Sequence, residues 1–276
     1  MPSYARPTRI DEALAILAHG ARTILAGGTD FYPSRVDTAP RDDVIDVTAL
    51  TDLRGIEERP AEWQFGATTT WTEVIEAKLP PLFDALKLAA REVGGIQIQN
   101  SGTVAGNICN ASPAADGVPA LLALDAQVEV ASTAGKRKLP LDQFILGPRR
   151  TALSPGELVT AILVPKPRHP ARSDFLKIGA RKYLVISIAM VACVLEVRDG
   201  IIHAARIAVG SCSPVATRLP ELEQALAGKP FDRNLAELAR PAHLHRLSPI
   251  DDVRASAAYR KEAALTLIRR SLERLA

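Results

Sequence analysis

The stretch from Gly94 to Asp125, GGIQIQNSGTVAGNICNASPAADGVPALLALD, limits most sharply what this chain can fold around. It combines two glycine clusters, several amides and hydroxyls and the acid Asp116 with almost no regular periodicity, then passes into the apolar segment Val118 to Ala126. Turning a corner needs no such composition. Glycine permits positive φ or close backbone approach to a ligand, while Thr, Asn and Ser add neutral donors beside exposed backbone N–H groups. The combination predicts a loop that cradles a diphosphate.

The rest of the composition narrows the class. At 276 residues, 47% of them hydrophobic, the chain can bury a sizeable core in one large domain or two to three small ones. A formal charge of +3, from 34 basic and 31 acidic residues, gives no electrostatic reason to expect nucleic acid or a membrane surface. The N-terminus lacks the apolar core of a signal peptide, and the longest apolar run, Leu184 to Leu195, is too short to span a bilayer. Cys109, Cys193 and Cys212 are odd in number and lack C-x-x-C spacing. The expectation is a cytoplasmic protein with reduced thiols, no membrane insertion, and no iron-sulfur cluster or structural zinc held by this chain alone.

In chain order, residues 9 to 19 place Ile10, Leu14 and Leu17 on one helical face and stop at Gly20. Thr23 to Leu25 predicts a short strand running into Ala26-Gly27-Gly28-Thr29-Asp30, and Val44 to Val47 a second. With a helix or loop around 31 to 36, the first ~60 residues form a small βαβ-type unit. WQFGA from Trp63 is strand-like and leads to a helix starting at Thr70 or Thr72, followed by a helix over 82 to 92. Beyond the glycine-rich stretch come an apolar helix over 118 to 124, a hairpin closed at Ala134-Gly135 and a strand over 157 to 165. PKPRHPARS, 165 to 173, is the internal boundary. Further strands follow in 175 to 179, 184 to 197 and 202 to 210, turned at Arg198-Asp199-Gly200, and the tail is helical.

The chain contains no G-x-G-x-x-G, no G-x-x-x-x-G-K, no H-E-x-x-H and no G-x-S-x-G. What remains is a pair of small-residue turns, Ala26 to Asp30 and Thr103-Val104-Ala105-Gly106-Asn107. Either alone could be a bulge at a strand end. Together they can converge on one pyrophosphate, met by backbone N–H groups rather than lysines. Asp116 suits a ribose or ribityl hydroxyl, since a carboxylate accepts from sugar O–H groups; as a helix N-cap before Val118 it would need no ligand. His243 and His245 form H-x-H without a third ligand nearby and border a loop, and Cys109 is read as a packing residue.

Five segments carry a family likeness: AGGTD at 26 to 30, QIQNSGTVAGNICNASPAAD at 97 to 116, PGELVTAILVP at 155 to 165, FLKIGAR at 175 to 181 and SPIDDVRASAAYR at 248 to 260. Together, over nearly the whole chain, they resemble the FAD-binding medium subunit of the molybdenum hydroxylases, such as carbon monoxide dehydrogenase and xanthine dehydrogenase. The resemblance implies an α+β fold. An N-terminal FAD-binding part of two α/β subdomains, PCMH- or VAO-like, spans 1–60 and 61–168, and a C-terminal domain of antiparallel strands plus helices spans 172–276. It implies that Ala26, Gly27, Gly28, Thr29 and Asp30 hold the pyrophosphate together with Thr103, Ala105, Gly106 and Asn107. By the same likeness Ser112 and Asp116 face the cofactor, Asp116 at its sugar chain, while Val159 lies against the flavin rings and Lys177 near the isoalloxazine. A cation there would stabilise reduced flavin; read from the strand alone, Lys177 would keep its head in water.

Three positions depart from the family pattern: Ala105 where glycine is usual, Asp30 as a carboxylate beside phosphate, and Val185 in place of an acid. The implied function is electron transfer through FAD, from iron-sulfur clusters in a small subunit to an external acceptor. A large subunit with the molybdenum cofactor would complete a dimer of heterotrimers. The alternatives are a free-standing FAD oxidoreductase of the same fold and an assembly subunit that has lost FAD.

Overall fold

The computed structural model describes residues 2–35, 42–182 and 184–276. The first sheet is parallel, with β1 (Tyr4–Ala5), β2 (Thr23–Leu25) and β3 (Val44–Asp46) in the order β1-β3-β2. Helix α1 (Ile10–Ala18) makes the crossover, burying Ala13 and Leu17 and carrying Asp11 and Glu12 at its positive end. The expected unit runs from Thr23–Leu25 through a helix or loop at 31 to 36 to a strand over 44 to 47; the two strands are present and parallel, but the helical crossover found is α1, between β1 and β2. Strand β1 escaped that expectation because two residues cannot show alternation. After β2 the chain turns through a short 3-10 segment, Pro33–Arg35; Val36, the last residue of the expected helix or loop there, lies outside the described residues.

The second sheet is antiparallel, in the order β4-β5-β10-β6-β7. Its strands are β4 (Ile56–Glu58), β5 (Glu62–Gly66), β6 (Gln127–Ser132), β7 (Gly135–Pro140) and β10 (Leu158–Pro165), while β8 (Ile145–Gly147) and β9 (Arg150–Thr151) form a separate hairpin. Central β10 is buried from Leu158 to Val164, hence its unbroken apolar run. Its register against β6 slips between Val159 and Ala161, a bulge of the kind that re-aims a side chain. Ser132 pairs with Gly135, so the β6–β7 turn is Thr133-Ala134, one residue earlier than expected.

Between β5 and β6 the chain is helical. Helix α2 (Trp71–Glu76) opens with a capping box, Thr70 and Glu73 each bonding the other's backbone N–H, which selects Thr70 over Thr72 as its start. Then come α3 (Asp84–Glu92), α4 (Ile96–Ser101), α5 (Val104–Asn110) and α6 (Gly117–Ala123). The expectation of a loop over 94 to 117 is therefore corrected: α4 and α5 fill most of it. They span only six and seven residues, too few turns to display a 3.6-residue period, and are set by end effects such as Thr103, whose hydroxyl accepts from Gly106 N–H at 3.0 Å.

The third sheet, also antiparallel, comprises β11 (Ala171–Ile178), β12 (Ala189–Arg198), β13 (Ile201–Gly210) and β14 (Thr217–Arg218) in sequence order. Strand β12 serves two cores. Met190, Ala192 and Val194 join the core shared with the N-terminal sheets, while Ala189, Val191, Cys193 and Leu195 join a second core. That second core is closed by α8 (Pro220–Leu226), α9 (Leu235–Leu238) and α10 (Ala257–Leu275), which follow the small α7 (Leu141–Phe144) of the second sheet. Burial on both faces explains why no polar alternation shows in this run. The strand expected from Leu184 begins only at Ala189, because Leu184 takes a positive φ of 51° and both it and Ile186 point to solvent.

The segment SPIDDVRASAAYR proves to be a clamp. Ser256 caps α10, and Asp252 holds both Arg254 and Arg260 at 2.5 and 2.7 Å. Arg260, 1% exposed, donates to the carbonyls of Ile188 and Ser211, at the edges of β12 and β13. The arginines beside it hold the Asp252 carboxyl far below the usual carboxylate range, Arg254 contributing most.

Candidate cofactor site

A cavity of about 440 Å³ opens where the end of β2, the start of α5 and the bulged part of β10 meet. Two glycines determine how the turn after β2 reaches it. Gly28 has φ +69°, a left-handed conformation that a side chain would strain, and a Cβ there would also strike the Tyr32 ring. Gly27 packs directly on the backbone that links α4 to α5: a Cβ on it would lie 1.9 Å from Ser101 O and 2.9 Å from Gly102 Cα. The two turns, far apart in sequence, are thereby backbone to backbone.

Ala26, Gly27, Gly28, Thr29 and Asp30 line the cavity, as do Thr103, Ala105, Gly106, Asn107 and Val159. Ser112, Asp116 and Lys177 do not belong to its wall. Among the described residues, the N–H groups of the lining residues Gly27, Gly28, Thr29 and Ala105 meet no acceptor, which leaves backbone donors of the kind a diphosphate requires. Asn107 adds a buried Oδ1 without a hydrogen-bond partner, an acceptor suited to a ligand hydroxyl. These features fit a dinucleotide cofactor of the FAD type. The departure at Ala105 is harmless to this geometry: it is a second-position helical residue, so its methyl group packs at 4% exposure while its N–H stays free.

Asp116 and Lys177 instead face each other. Lys177 Nζ donates to Asp116 Oδ2 at 2.9 Å, and Ser187 Oγ donates to Asp116 Oδ1 at 2.7 Å. Burial pushes the Asp116 carboxyl up, opposed chiefly by Lys177. The side chain of Lys177 is 5% exposed, which overturns the reading of a strand lysine with its head in water. Nor is Asp116 an N-cap through its side chain: both oxygens are engaged by residues of the C-terminal half. The pair thus fastens β11 to the start of α6. Ser112 serves its own turn, accepting from Ala114 N–H at 3.3 Å.

The other residues singled out from the sequence have local roles. Cys109 lines the cavity with its thiol pushed up to about 12 by desolvation, so it is no nucleophile. His243 accepts from Arg240 N–H, and His245 Nδ1 lies 3.1 Å from Ala242 O. Among the described residues no cluster of three His, Cys, Asp or Glu could hold a metal ion. A second cavity of about 410 Å³ lies where 165 to 169 meet β12 and β13. Its acids are occupied, Glu196 by Arg206 and the N–H groups of Arg168 and His169, Asp125 by Arg206 and Arg218.

Sequence reasoning missed Arg22, Arg35 and Trp71 in the cavity wall, and Arg149 beside it. Arg35 stacks on Phe31, its guanidinium carbon 4.0 Å from the ring centroid, and pairs with Asp42 at 3.0 Å. No motif marks these positions. The uncompensated charge of Asp30 was the sole signal that a cation must come from elsewhere.

The fold joins a cavity walled by two apposed backbone turns to an antiparallel C-terminal domain. Residues 1–167 match the family described as FAD binding domain in molybdopterin dehydrogenase, and residues 174–275 match the CO dehydrogenase flavoprotein C-terminal domain. The nicotine 6-hydroxylase medium subunit of Paenarthrobacter nicotinovorans is 32% identical, over 98% of this chain and 95% of that protein. The xanthine dehydrogenase FAD-binding subunit of Escherichia coli O157:H7 is 29% identical over 97% and 94%. Among solved structures, carbon monoxide dehydrogenase from Hydrogenophaga pseudoflava, in a form lacking the Mo-pyranopterin moiety of the molybdenum cofactor, superposes with a TM-score of 0.87. That match has 28% identity and covers 99% of this chain and 96% of that one. The chain belongs to the family of FAD-binding subunits of molybdenum-dependent dehydrogenases, and FAD is its cofactor. No helix among the described residues is long and apolar enough to cross a membrane.

Proposed function

We propose that this chain carries FAD as the electron-transfer subunit of a multi-subunit molybdenum hydroxylase, receiving electrons from iron-sulfur clusters of a small subunit and delivering them to an external acceptor. A large subunit holding the molybdenum cofactor would complete the heterotrimer, which would pair into a dimer of heterotrimers. The observation that carries this reading is the pair of backbone turns meeting at Gly27, built from cavity-lining residues whose N–H groups meet no acceptor among the described residues, in a chain that aligns end to end with medium subunits. Bound FAD supplies the redox chemistry. The protein supplies binding and position.

In this reading Ala26 to Asp30 and Thr103 to Asn107 hold the diphosphate, and Val159, carried on the β10 bulge, lies against the flavin. Asp116 would accept from the sugar chain with a lone pair left over from Lys177 and Ser187. Its position supports this, because the adjacent Gly117 packs on Trp71 and Asn107 of the cavity wall. Lys177 would then place its charge at the ring end, and Ser112 would complete the turn. The proposed division at 168 and 172 is supported by β10 ending at Pro165 and the third sheet beginning at Ala171, whereas the division at 60 falls between β4 and β5 of the second sheet.

The chain, tagged and isolated from its source under mild conditions, should bring with it molybdenum and iron in fixed ratio to flavin. Isolation with flavin but without either metal would contradict the subunit reading and favour a free-standing oxidoreductase.

A further inference from the structure

Asp30 is the one acidic residue among the described residues that line the cavity. A carboxylate in the wall of a diphosphate site opposes its ligand unless its charge is cancelled. The cancelling group lies outside the cradle. Arg149, at the turn of the β8–β9 hairpin with φ +57°, sends Nη1 to Asp30 Oδ2 at 2.8 Å and to Asn110 Oδ1, while its own N–H donates to Ala111 O at 2.9 Å. One residue therefore joins the first turn, the C-terminal end of α5 and the hairpin. Asn110 also lines the cavity, but Arg149 does not.

We propose that Arg149 is a positioning residue for the diphosphate: it acts through Asp30, neutralising that carboxylate and holding the first turn to α5, without touching the cofactor. This rests on the reading of the two turns as the FAD cradle. The pair is exposed, 57% for Arg149 and 51% for Asp30, so its contribution to folding stability is small and its effect is electrostatic. Neither Arg35, which pairs with Asp42, nor Arg22, which donates to the Ser3 hydroxyl, contacts Asp30.

A charge cycle on the full-length chain tests this, with FAD and riboflavin affinities measured by fluorescence titration at low salt. Arg149→Gln should weaken FAD about tenfold, the scale of one exposed unit charge near a dianion, and leave riboflavin, which lacks phosphate, unchanged. Arg149→Lys should restore most of the loss. Adding Asp30→Asn to Arg149→Gln should recover FAD affinity, because no carboxylate is left to cancel, and Asp30→Asn alone should tighten FAD. Unchanged FAD affinity in Arg149→Gln overturns the proposal, as does a double variant as weak as the single one, which would mean that Arg149 contacts the cofactor itself. If the unaltered chain binds FAD no better than riboflavin, the cradle reading fails as well.

Discussion

Gly27→Ala should strip the chain of FAD while leaving it folded. The added methyl would lie 1.9 Å from Ser101 O, 2.5 Å from the carbon of that carbonyl and 2.9 Å from Gly102 Cα. All three are backbone atoms, so no rotamer change relieves the clash; the turn must withdraw from the α4–α5 link by about an ångström or more. The withdrawal separates the two sets of N–H donors that must converge on one diphosphate. Affinity should fall by about two orders of magnitude, equivalent to about 3 kcal/mol. The fold should lose only about 1–3 kcal/mol, the usual cost of local overpacking, and the C-terminal core, closed on β12 and α10, is remote from the change. The measurement is flavin bound per protein after gel filtration, with circular dichroism as the check on folding. A folded variant with the flavin content of the unaltered chain would show that the turns do not need contact at Gly27.

Arg260→Ala should have the opposite signature, a damaged fold with the cradle chemistry untouched. Its guanidinium is the hub between α10 and the strand edges: removing it deprives the carbonyls of Ile188 and Ser211 of their donor, breaks the contact to Asp252 and leaves a void beneath the helix. Taken together these should cost about 3 kcal/mol or more. Urea unfolding would show a lower midpoint for the C-terminal domain, and Arg260→Lys should recover only part, since one ammonium cannot span three acceptors. A midpoint within experimental error of the unaltered chain would remove Arg260 from its place as the clamp.

How much of this was legible in the sequence depended on whether the determinant was local. The Thr70 cap, the Asp199-Gly200 turn and the long α10 are each set by neighbours in sequence, and each was readable. The two turns were marked in the sequence by their small and polar residues, but their structure was not, since α4 and α5 are helices too short to show a period. Strand β4, three residues with Glu57 and Glu58 exposed, gains its identity only from pairing with β5. The contact at Gly27 was equally hidden, because its partner is a backbone carbonyl more than seventy positions away. The reading of Lys177 from its strand alone, with its head in water, failed for a related reason. A lysine in a strand is ordinarily solvated, and only tertiary contact with Asp116 keeps it buried. Arg149 answers a charge at Asp30 that is separated from it by more than a hundred residues.

The central claim is that the two turns form one FAD site, and flavin retention tests it most directly. Purified chain incubated with FAD, passed over a desalting column and scanned for flavin absorbance should retain one FAD per chain, with Gly27→Ala retaining almost none. A folded, unaltered chain that emerges without flavin absorbance after the same treatment would contradict it.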